Sequence, residues 1–259
     1  MQIKTPEERA AIIEGGRRLG VVLEELAKAT KPGMSTLELD TLAEKLIREG
    51  GDLPSFKGYT PDGVSYPYPS ALCISVNDEV VHGIPKSDVI LREGDIVSLD
   101  LGLTHEGLIL DSALTVPVGQ TDKQSYALMD ATQQSLEAAI KAARPGRRIG
   151  DISHATERAF QGTGFAVVKI LGGHGVGRHV HEEPFISNVG HPGTGPEIVA
   201  GMVLALEPIA NLGKASVRLM PDDYTFRTYD GSRSAHFEHT ILVEDDETLV
   251  VTRRPSEVS

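Results

Sequence analysis

Residues 96–117 read IVSLDLGLTHEGLILDSALTVP, and this stretch decides the fold class. It is aliphatic and β-branched on both sides of THEG, where Gly107 can supply the positive φ of a tight turn, so it predicts a β-hairpin. Asp100 and Asp111 lie in the middle of the two predicted strands. Because a buried carboxylate costs several kcal/mol unless something pairs with it, the hairpin requires a partner for both.

The register of the hairpin determines how the two carboxylates meet. With a turn at residues 105–106, Asp100 lies directly opposite Asp111. The Cβ atoms of opposed residues lie roughly 4.5–5.5 Å apart, which is repulsive for two like charges. Three explanations stay open: a proton shared by the two carboxylates, a metal cation held by both, or a different register in which one Asp faces solvent.

The composition indicates a globular chain that works away from membranes and nucleic acids. Its 259 residues are 40% hydrophobic, which suffices for one large domain or two halves. The net charge of −12 disfavours a nucleic-acid partner that needs a broadly basic surface. The single cysteine, Cys73, excludes an internal disulfide framework. With no apolar signal segment and no run of membrane-spanning length, we expect a cytoplasmic protein.

An internal repeat organises the chain. LEELAKATKPG at residues 23–33 matches LEAAIKAARPG at residues 136–146, and both resemble a helix closed by a Pro-Gly turn. The repeat predicts an α+β fold of two pseudo-two-fold-related halves, with a central antiparallel sheet and outer helices. We expect one domain over residues 1–252, with halves at about 10–120 and 121–252, followed by a disordered tail at 253–259.

The repeat also places four carboxylates in corresponding strand positions. EGDIVSLDL resembles AGMVLALEP, which aligns Asp100 with Glu207, and LDSALTV resembles FEHTILV, which aligns Asp111 with Glu238. In two docked halves these four side chains would converge near the axis. GGHGVGRHVHEEP adds His174, a nitrogen ligand surrounded by glycines that let the backbone pass close to a crowded site.

Such a donor set favours a pair of metal ions. Two Asp, two Glu and one His are mostly hard oxygen donors, with too few soft ligands for structural zinc and too much charge for one ion. Two divalent ions about 3.5–4 Å apart would neutralise the set and share a water. Co, Mn, Fe(II) and Zn are all plausible occupants.

The chain resembles a type I methionine aminopeptidase, a metallopeptidase of the pita-bread fold, from about Ile3 to Val251. The motifs are NDEVVHGIP, LDLG with LDSALTVPVG, GGHGVGRHVHEEP, ALEP and FEHTILV, in this order. The resemblance implies five metal ligands, with the second and the last bridging the two ions: Asp100, Asp111, His174, Glu207 and Glu238. It also implies that His82 and His181 contact the substrate.

The resemblance implies a reaction and its partners. A water bridging the two metals would attack the first peptide bond, Glu207 would take and return the proton, and His82 and His181 would steady the intermediate. The substrates would be N-terminal peptides of nascent proteins, from which methionine is removed when the second residue is small. The ribosome is a further expected partner, and we expect a monomer.

A long loop should form the methionine pocket. Residues 56–73 read FKGYTPDGVSYPYPSALC, and the sulfur of Cys73 and the ring of Tyr68 suit a thioether, although both could be plain packing residues. Tyr224 stands where the family commonly has tryptophan, and His236 stands where it has glutamine before the final FEHT. These two departures concern the pocket shape and leave the five ligands intact.

Two alternatives stay open. A prolidase-like or Xaa-Pro peptidase of the same fold would share all five ligands but generally carries an additional N-terminal domain, for which this chain has no room. A non-catalytic pita-bread binding protein would lack ligands, and all five are present here. Only 25 residues separate His181 from Glu207, which leaves no room for the helical insertion of type II enzymes.

Overall fold

The structure is a computed structural model that describes residues 1–3 and 5–258. Within these residues, four α-helices and fifteen strands confirm the predicted α+β class. The helices are α1 (Pro6–Ala29), α2 (Thr36–Glu49), α3 (Lys123–Ala142) and α4 (Ile149–Ala159). The strands are β1 (Leu53–Pro54), β2 (Leu72–Val76), β3 (Glu79–Val81), β4 (Ile96–His105), β5 (Leu108–Pro117), β6 (Ala166–Val167), β7 (Gly172–Gly175), β8 (Glu182–Ser187), β9 (Val203–Leu206), β10 (Ile209–Asn211), β11 (Val217–Leu219), β12 (Phe226–Thr228), β13 (Ser234–His236), β14 (His239–Val243) and β15 (Thr248–Val250).

Side-chain caps begin the first two helices, and the predicted Pro-Gly turns follow the ends of two helices. Helix α1 follows Thr5, whose hydroxyl accepts a hydrogen bond from the amide of Glu8, and α2 begins with a capping box between Ser35 and Glu38. Helices α1 and α3 both end shortly before the two Pro-Gly turns of the repeat. Among the described residues, none of the helices combines the length and the apolarity needed to cross a bilayer.

The hairpin β4–β5 forms, but the predicted register is wrong. His105 pairs with Leu108, so the turn consists of Glu106 and Gly107, whose φ angles are 48° and 81°. A two-residue turn with both φ angles positive matches the twist of the flanking strands, which is why the turn lies one residue further along the chain. Asp100 therefore pairs with Ala113, two residues from Asp111. Because the side-chain period of a strand is two, both carboxylates stay on one face.

The two halves join along β5 and along β14 with the residue before it, Glu238. The Thr240 hydroxyl accepts from the amide of Asp111 at 3.0 Å and donates to its carbonyl at 2.6 Å. The amide of Glu238 donates to the carbonyl of Ala113 at 2.9 Å, and Ser112 Oγ donates to the carbonyl of Glu238 at 2.7 Å. These bonds place the carboxylate-bearing strands of the first half beside those of the second.

One apolar core spans both halves. Its fully buried members include Leu19 and Leu23 of α1, Leu99 of β4, Leu128 of α3 and Leu204 of β9. Helices α1 and α3 thus cover the strands from outside, and the face of β4 and β5 that carries the aspartates is left for the site.

The C-terminal segment contacts α1. Residues Pro255–Glu257 form a 3-10 helix, the side chain of Arg254 is buried against Glu257, and the amide of Ser256 donates to Glu24 at 2.7 Å. The sequence predicted disorder for 253–259, and these contacts lie within that segment; Ser259 is outside the described residues. The domain boundary at residue 252 stays a prediction.

Candidate metal centre

One cavity brings together the residues that the sequence singles out. Its lining includes all ten predicted site residues: Tyr68, Cys73, His82, Asp100, Asp111, His174, His181, Glu207, Tyr224 and Glu238. The cavity lies where the two halves join. The predicted convergence of four carboxylates and a histidine is therefore present in the structure.

The carboxylates of this cavity are buried and incompletely paired. Asp100 is 8% exposed, Asp111 3% and Glu238 2%. Within the described part of the chain, Asp100 Oδ1, Asp111 Oδ1 and Glu238 Oε1 have no hydrogen-bond partner. Buried carboxylate oxygens are normally paired, so three unpaired ones facing one cavity indicate a cation site.

The second half supplies its donors from three neighbouring strands. Strand β14 pairs with β9 so that His239 faces Leu206, and this register, continued by one residue, sets Glu207 opposite Glu238. Strand β7 lies on the other side of β9, with His174 opposite Ala205. Donor atoms of Asp111, His174 and Glu238 lie within 4.8 Å of one another, close enough for a shared cation.

His174 is held in the tautomer that a metal ligand needs. Its Nδ1–H donates to the carbonyl of Gly175 at 2.9 Å, which leaves the lone pair on Nε2. Nε2 points into the cavity, 3.5 Å from Glu207 Oε1. Burial lowers the pKa of His174 to about 3, so the ring is neutral and able to coordinate.

Two glycines allow the strands around His174 to come this close. A Cβ atom at Gly173 would lie 2.3 Å from the carbonyl oxygen of Ala205, and one at Gly175 would lie 2.3 Å from that of Glu183. Both contacts are with backbone, which cannot rotate away. The glycine-rich surroundings of His174 thus serve close backbone packing, as the sequence predicted.

The electrostatic environment of the cavity opposes ionisation of the acids. Burial raises the pKa of Asp100 to about 7. Burial and then neighbouring carboxylates raise the pKa values of Asp111, Glu207 and Glu238 well above their usual range. Divalent cations would remove this penalty by neutralising the carboxylates, so the donor set fits the metals that the sequence predicted.

The two remaining histidines lie beside the acids. The rings of His181 and His174 are 4.5 Å apart between centroids, and His181 Nδ1 forms a 2.9 Å hydrogen bond with the hydroxyl of Tyr59. His82 follows β3 with a φ of 59°, a conformation uncommon for a non-glycine residue. Burial lowers the pKa of His82 to about 4, so it is neutral near pH 7.

An apolar pocket adjoins the carboxylates. Cys73 of β2 pairs with Asp100 of β4, which places the thiol next to the acid. The rings of Tyr68 and Tyr224 meet edge to face with 5.1 Å between centroids. The hydroxyl of Tyr68 donates to the carbonyl of Gly83 at 2.8 Å, so its ring is fixed and its polar end is satisfied.

Sequence reasoning missed four residues of this site. Phe56 and Val180 belong to the same apolar cluster as Cys73, and Tyr59 fixes His181. His236, noted only as a departure from the family pattern, lies with Nε2 3.6 Å from Glu207 Oε2. The position of Phe56 and Tyr59 in the loop at 56–73 was a signal for both, whereas no pattern singled out Val180.

The chain is similar to known proteins over most of its length. The profile of metallopeptidase family M24 matches residues 10–245. Methionine aminopeptidase 1 of Bacillus subtilis is 43% identical over 250 residues, covering 96% of this chain and 98% of that protein. The crystal structure of methionine aminopeptidase from Thermotoga maritima has a TM-score of 0.93 and 42% identity, covering 98% of this chain and 100% of that one.

The fold is shared more widely than the sequence. Xaa-Pro dipeptidase from Bacillus anthracis has a TM-score of 0.74 at 19% identity, and this chain covers 62% of that one. At this identity the likeness concerns the fold alone. Together the structural matches confirm the predicted pita-bread fold.

Proposed function

The chain belongs to metallopeptidase family M24, and from this premise we propose that it removes N-terminal methionine from peptides whose second residue is small. One observation carries the proposal: four buried carboxylates and a neutral histidine converge beside an apolar pocket that contains a thiol and aromatic rings. The names of the similar proteins supply methionine as the residue removed.

The metals would be two divalent ions of Co, Mn, Fe(II) or Zn. Five side chains would hold them: Asp100, Asp111, His174, Glu207 and Glu238. When bound, such ions polarise a peptide carbonyl and lower the pKa of water to near neutrality. The unpaired oxygens of Asp100, Asp111 and Glu238 support this assignment, as does the free Nε2 of His174.

Glu207 is the residue that we assign to proton transfer. Its side chain is 13% exposed, more open to the cavity than Glu238 at 2%, and its Oε1 lies 3.5 Å from His174 Nε2. A carboxylate at the cavity wall can accept a proton from water and return it to the leaving amine. His82 and His181 lie where a peptide entering the cavity would pass, and as neutral imidazoles they can donate hydrogen bonds to its carbonyl.

The pocket suits a long, unbranched thioether. Phe56, Val180 and Tyr68 provide apolar and aromatic surface, and Cys73 adds a polarizable sulfur. The pocket is continuous with the metal-binding residues, so a side chain bound in it brings the following peptide bond to them. The second residue would lie between the acids and the histidines, and the preference for a small residue there is carried over from the resemblance to the methionine aminopeptidases.

A panel of tripeptides tests the proposed specificity. We expect Met-Ala-Ser to be cleaved, and Leu-Ala-Ser and Met-Leu-Ser to be cleaved about 10- to 200-fold more slowly, since each misfit side chain costs about 1–3 kcal/mol. The measurement is kcat/KM at one fixed concentration of Mn or Co. Cleavage of Xaa-Pro peptides without preference for methionine would overturn the proposal in favour of a prolidase-like enzyme.

Substitution of His82 tests its role as a donor to the substrate. His82→Ala should lower kcat by about 100- to 1000-fold, as removal of a single oxyanion donor does in other hydrolases, while the bound metal stays at the wild-type amount. Metal content by mass spectrometry and kcat by peptide assay give the two readouts. His179→Ala is the matched control, because His179 is an exposed histidine in the segment that also carries His174 and His181. Loss of metal in His82→Ala would show that His82 is a ligand.

We also propose the cytoplasm as the place of action, with a monomer acting on N-terminal peptides of nascent proteins close to the ribosome. Nascent chains are the source of the proposed substrate. The single buried cysteine and the net charge of −12 suit a reducing compartment and argue against direct contact with nucleic acid.

A further inference from the structure

His236 is a buried polar residue that the proposed mechanism does not use. It is 1% exposed and belongs to β13, two residues before Glu238. Its Nε2 lies 3.6 Å from Glu207 Oε2 and 3.8 Å from Glu238 Oε2. Neither ring nitrogen has a hydrogen-bond partner among the described residues. An unpartnered imidazole at this depth requires an explanation.

The backbone of His236 is fixed from both sides. Strand β13 pairs with β10, with His236 opposite Ile209. On the other side Thr115 of β5 accepts from the amide of His236 at 2.9 Å through its hydroxyl and donates to its carbonyl at 2.9 Å. The ring is therefore held against the two glutamates by both halves of the molecule.

A comparison with His174 separates two possible roles. His174 Nε2 lies at nearly the same distance from Glu207, but its Nδ1–H has an acceptor in the carbonyl of Gly175, which leaves Nε2 free to coordinate. No such acceptor faces Nδ1 of His236 among the described residues. A hydrogen on Nδ1 would therefore be buried without a partner, whereas a hydrogen on Nε2 points at two carboxylate oxygens.

We infer that His236 carries its hydrogen on Nε2 and is a positioning residue: it donates to the Glu207 carboxylate, with Glu238 as second acceptor, and is not itself a metal ligand. The inference deepens the proposed function, since it concerns the same site. The distances from Nε2 to the two carboxylate oxygens, 3.6 and 3.8 Å, exceed a hydrogen bond by a few tenths of an ångström, and catalytic hydrogen bonds often shorten when substrate binds. The donor would hold Glu207 in one orientation for proton transfer.

Three substitutions separate a donor from a ligand and from a packing residue. The amide of His236→Gln reaches the position of Nε2 and can still donate, the amide of His236→Asn stops near Nδ1, and His236→Leu fills space without any donor. We expect the Gln variant to keep at least about a third of the wild-type kcat. The Asn and Leu variants should lose about 10- to 100-fold in kcat with little change in KM, the loss of a hydrogen bond to a charged group. All three should bind the wild-type amount of metal.

A second measurement does not depend on catalysis. Long-range ¹H–¹⁵N spectra of the protein loaded with diamagnetic Zn, in which the acids are carboxylates, report which imidazole nitrogen carries hydrogen, and the signals absent from His236→Gln identify this ring. Hydrogen on Nε2 supports the inference, and a ring with hydrogen on Nδ1 alone overturns it. Metal loss in the Gln variant would make His236 a ligand, and wild-type kcat in the Asn and Leu variants would exclude positioning. If the wild-type protein cleaved none of the peptides, the spectra and metal content would still decide the role of His236.

Discussion

Asp111→Asn is expected to lower kcat by at least about 1000-fold and to reduce bound metal at the same time. Asp111 is 3% exposed, its Oδ1 is unpaired, and its carboxylate lies within 4.8 Å of the donor atoms of His174 and Glu238. The amide keeps the shape of the side chain but removes a negative charge that two cations need. Metal catalysis contributes several kcal/mol to a hydrolytic barrier, and each 1.36 kcal/mol is a factor of ten in rate.

Asp52→Asn is the matched control for this experiment. Asp52 is also a buried aspartate, and its Oδ1 accepts a hydrogen bond from His105 Nδ1 at 2.7 Å. His105 lies next to the turn of the β4–β5 hairpin, away from the metal-binding residues. This variant should lose stability but bind the wild-type amount of metal and keep its kcat. Near-normal turnover of Asp111→Asn in buffer with excess metal would contradict the assignment of Asp111 as a ligand.

Removal of the metals is expected to make the protein less stable and to make its stability fall as the pH rises. The pKa of Asp100 is raised to about 7 in the folded protein, and those of Asp111, Glu207 and Glu238 are raised well above their usual range, whereas unfolded carboxyls titrate near pH 4. Between these limits the folded state binds more protons than the unfolded state. The free energy of unfolding then falls with pH, by about 1.4 kcal/mol per pH unit for each carboxyl protonated only in the folded state.

Chemical denaturation at pH 5 and pH 8, with chelator or with Mn, measures this effect. The chelated protein should lose far more stability between the two pH values than the metal-loaded protein, in which cations replace the protons. Glu238→Gln removes one of the buried acids, so in chelator it should be more stable than the wild type at pH 8. Equal pH dependence with and without metal would contradict a convergent acidic site.

The sequence predicts the site better than it predicts the contacts within it. Strand propensity and the repeat bring Asp100, Asp111, Glu207 and Glu238 to one cavity, because a strand period of two decides which side chains share a face. The pairing of Asp100 with Ala113 was missed, since it depends on whether Glu106 accepts a positive φ, which composition does not reveal. The turn was predicted one residue too early, which shifts the strand pairing by two residues. The predicted face of each strand was therefore still correct, and so was the predicted site.

Contacts between segments far apart in the chain could not be predicted from the sequence, for a different reason. The bond from Tyr59 to His181 joins residues 122 positions apart, and the approach of His236 to Glu207 depends on how β13 docks beside β5. Neither contact follows from periodicity, since both are set by tertiary packing. The family pattern drew attention to residue 236 as a departure, but only the structure shows what that side chain faces.

The bonds between Thr240 and Asp111 join the two halves of the chain, so they can form only after both halves have been synthesised. The first half of the chain holds two of the acids and the second half holds the other two with His174, so neither half contains the complete set of proposed ligands. A growing chain that has emerged only as far as β5 has two exposed aspartates and no means of hydrolysis. With the proposed ligands, hydrolysis would require residues 174–240 to leave the exit tunnel and dock, so an unfinished copy would not attack the peptides around it.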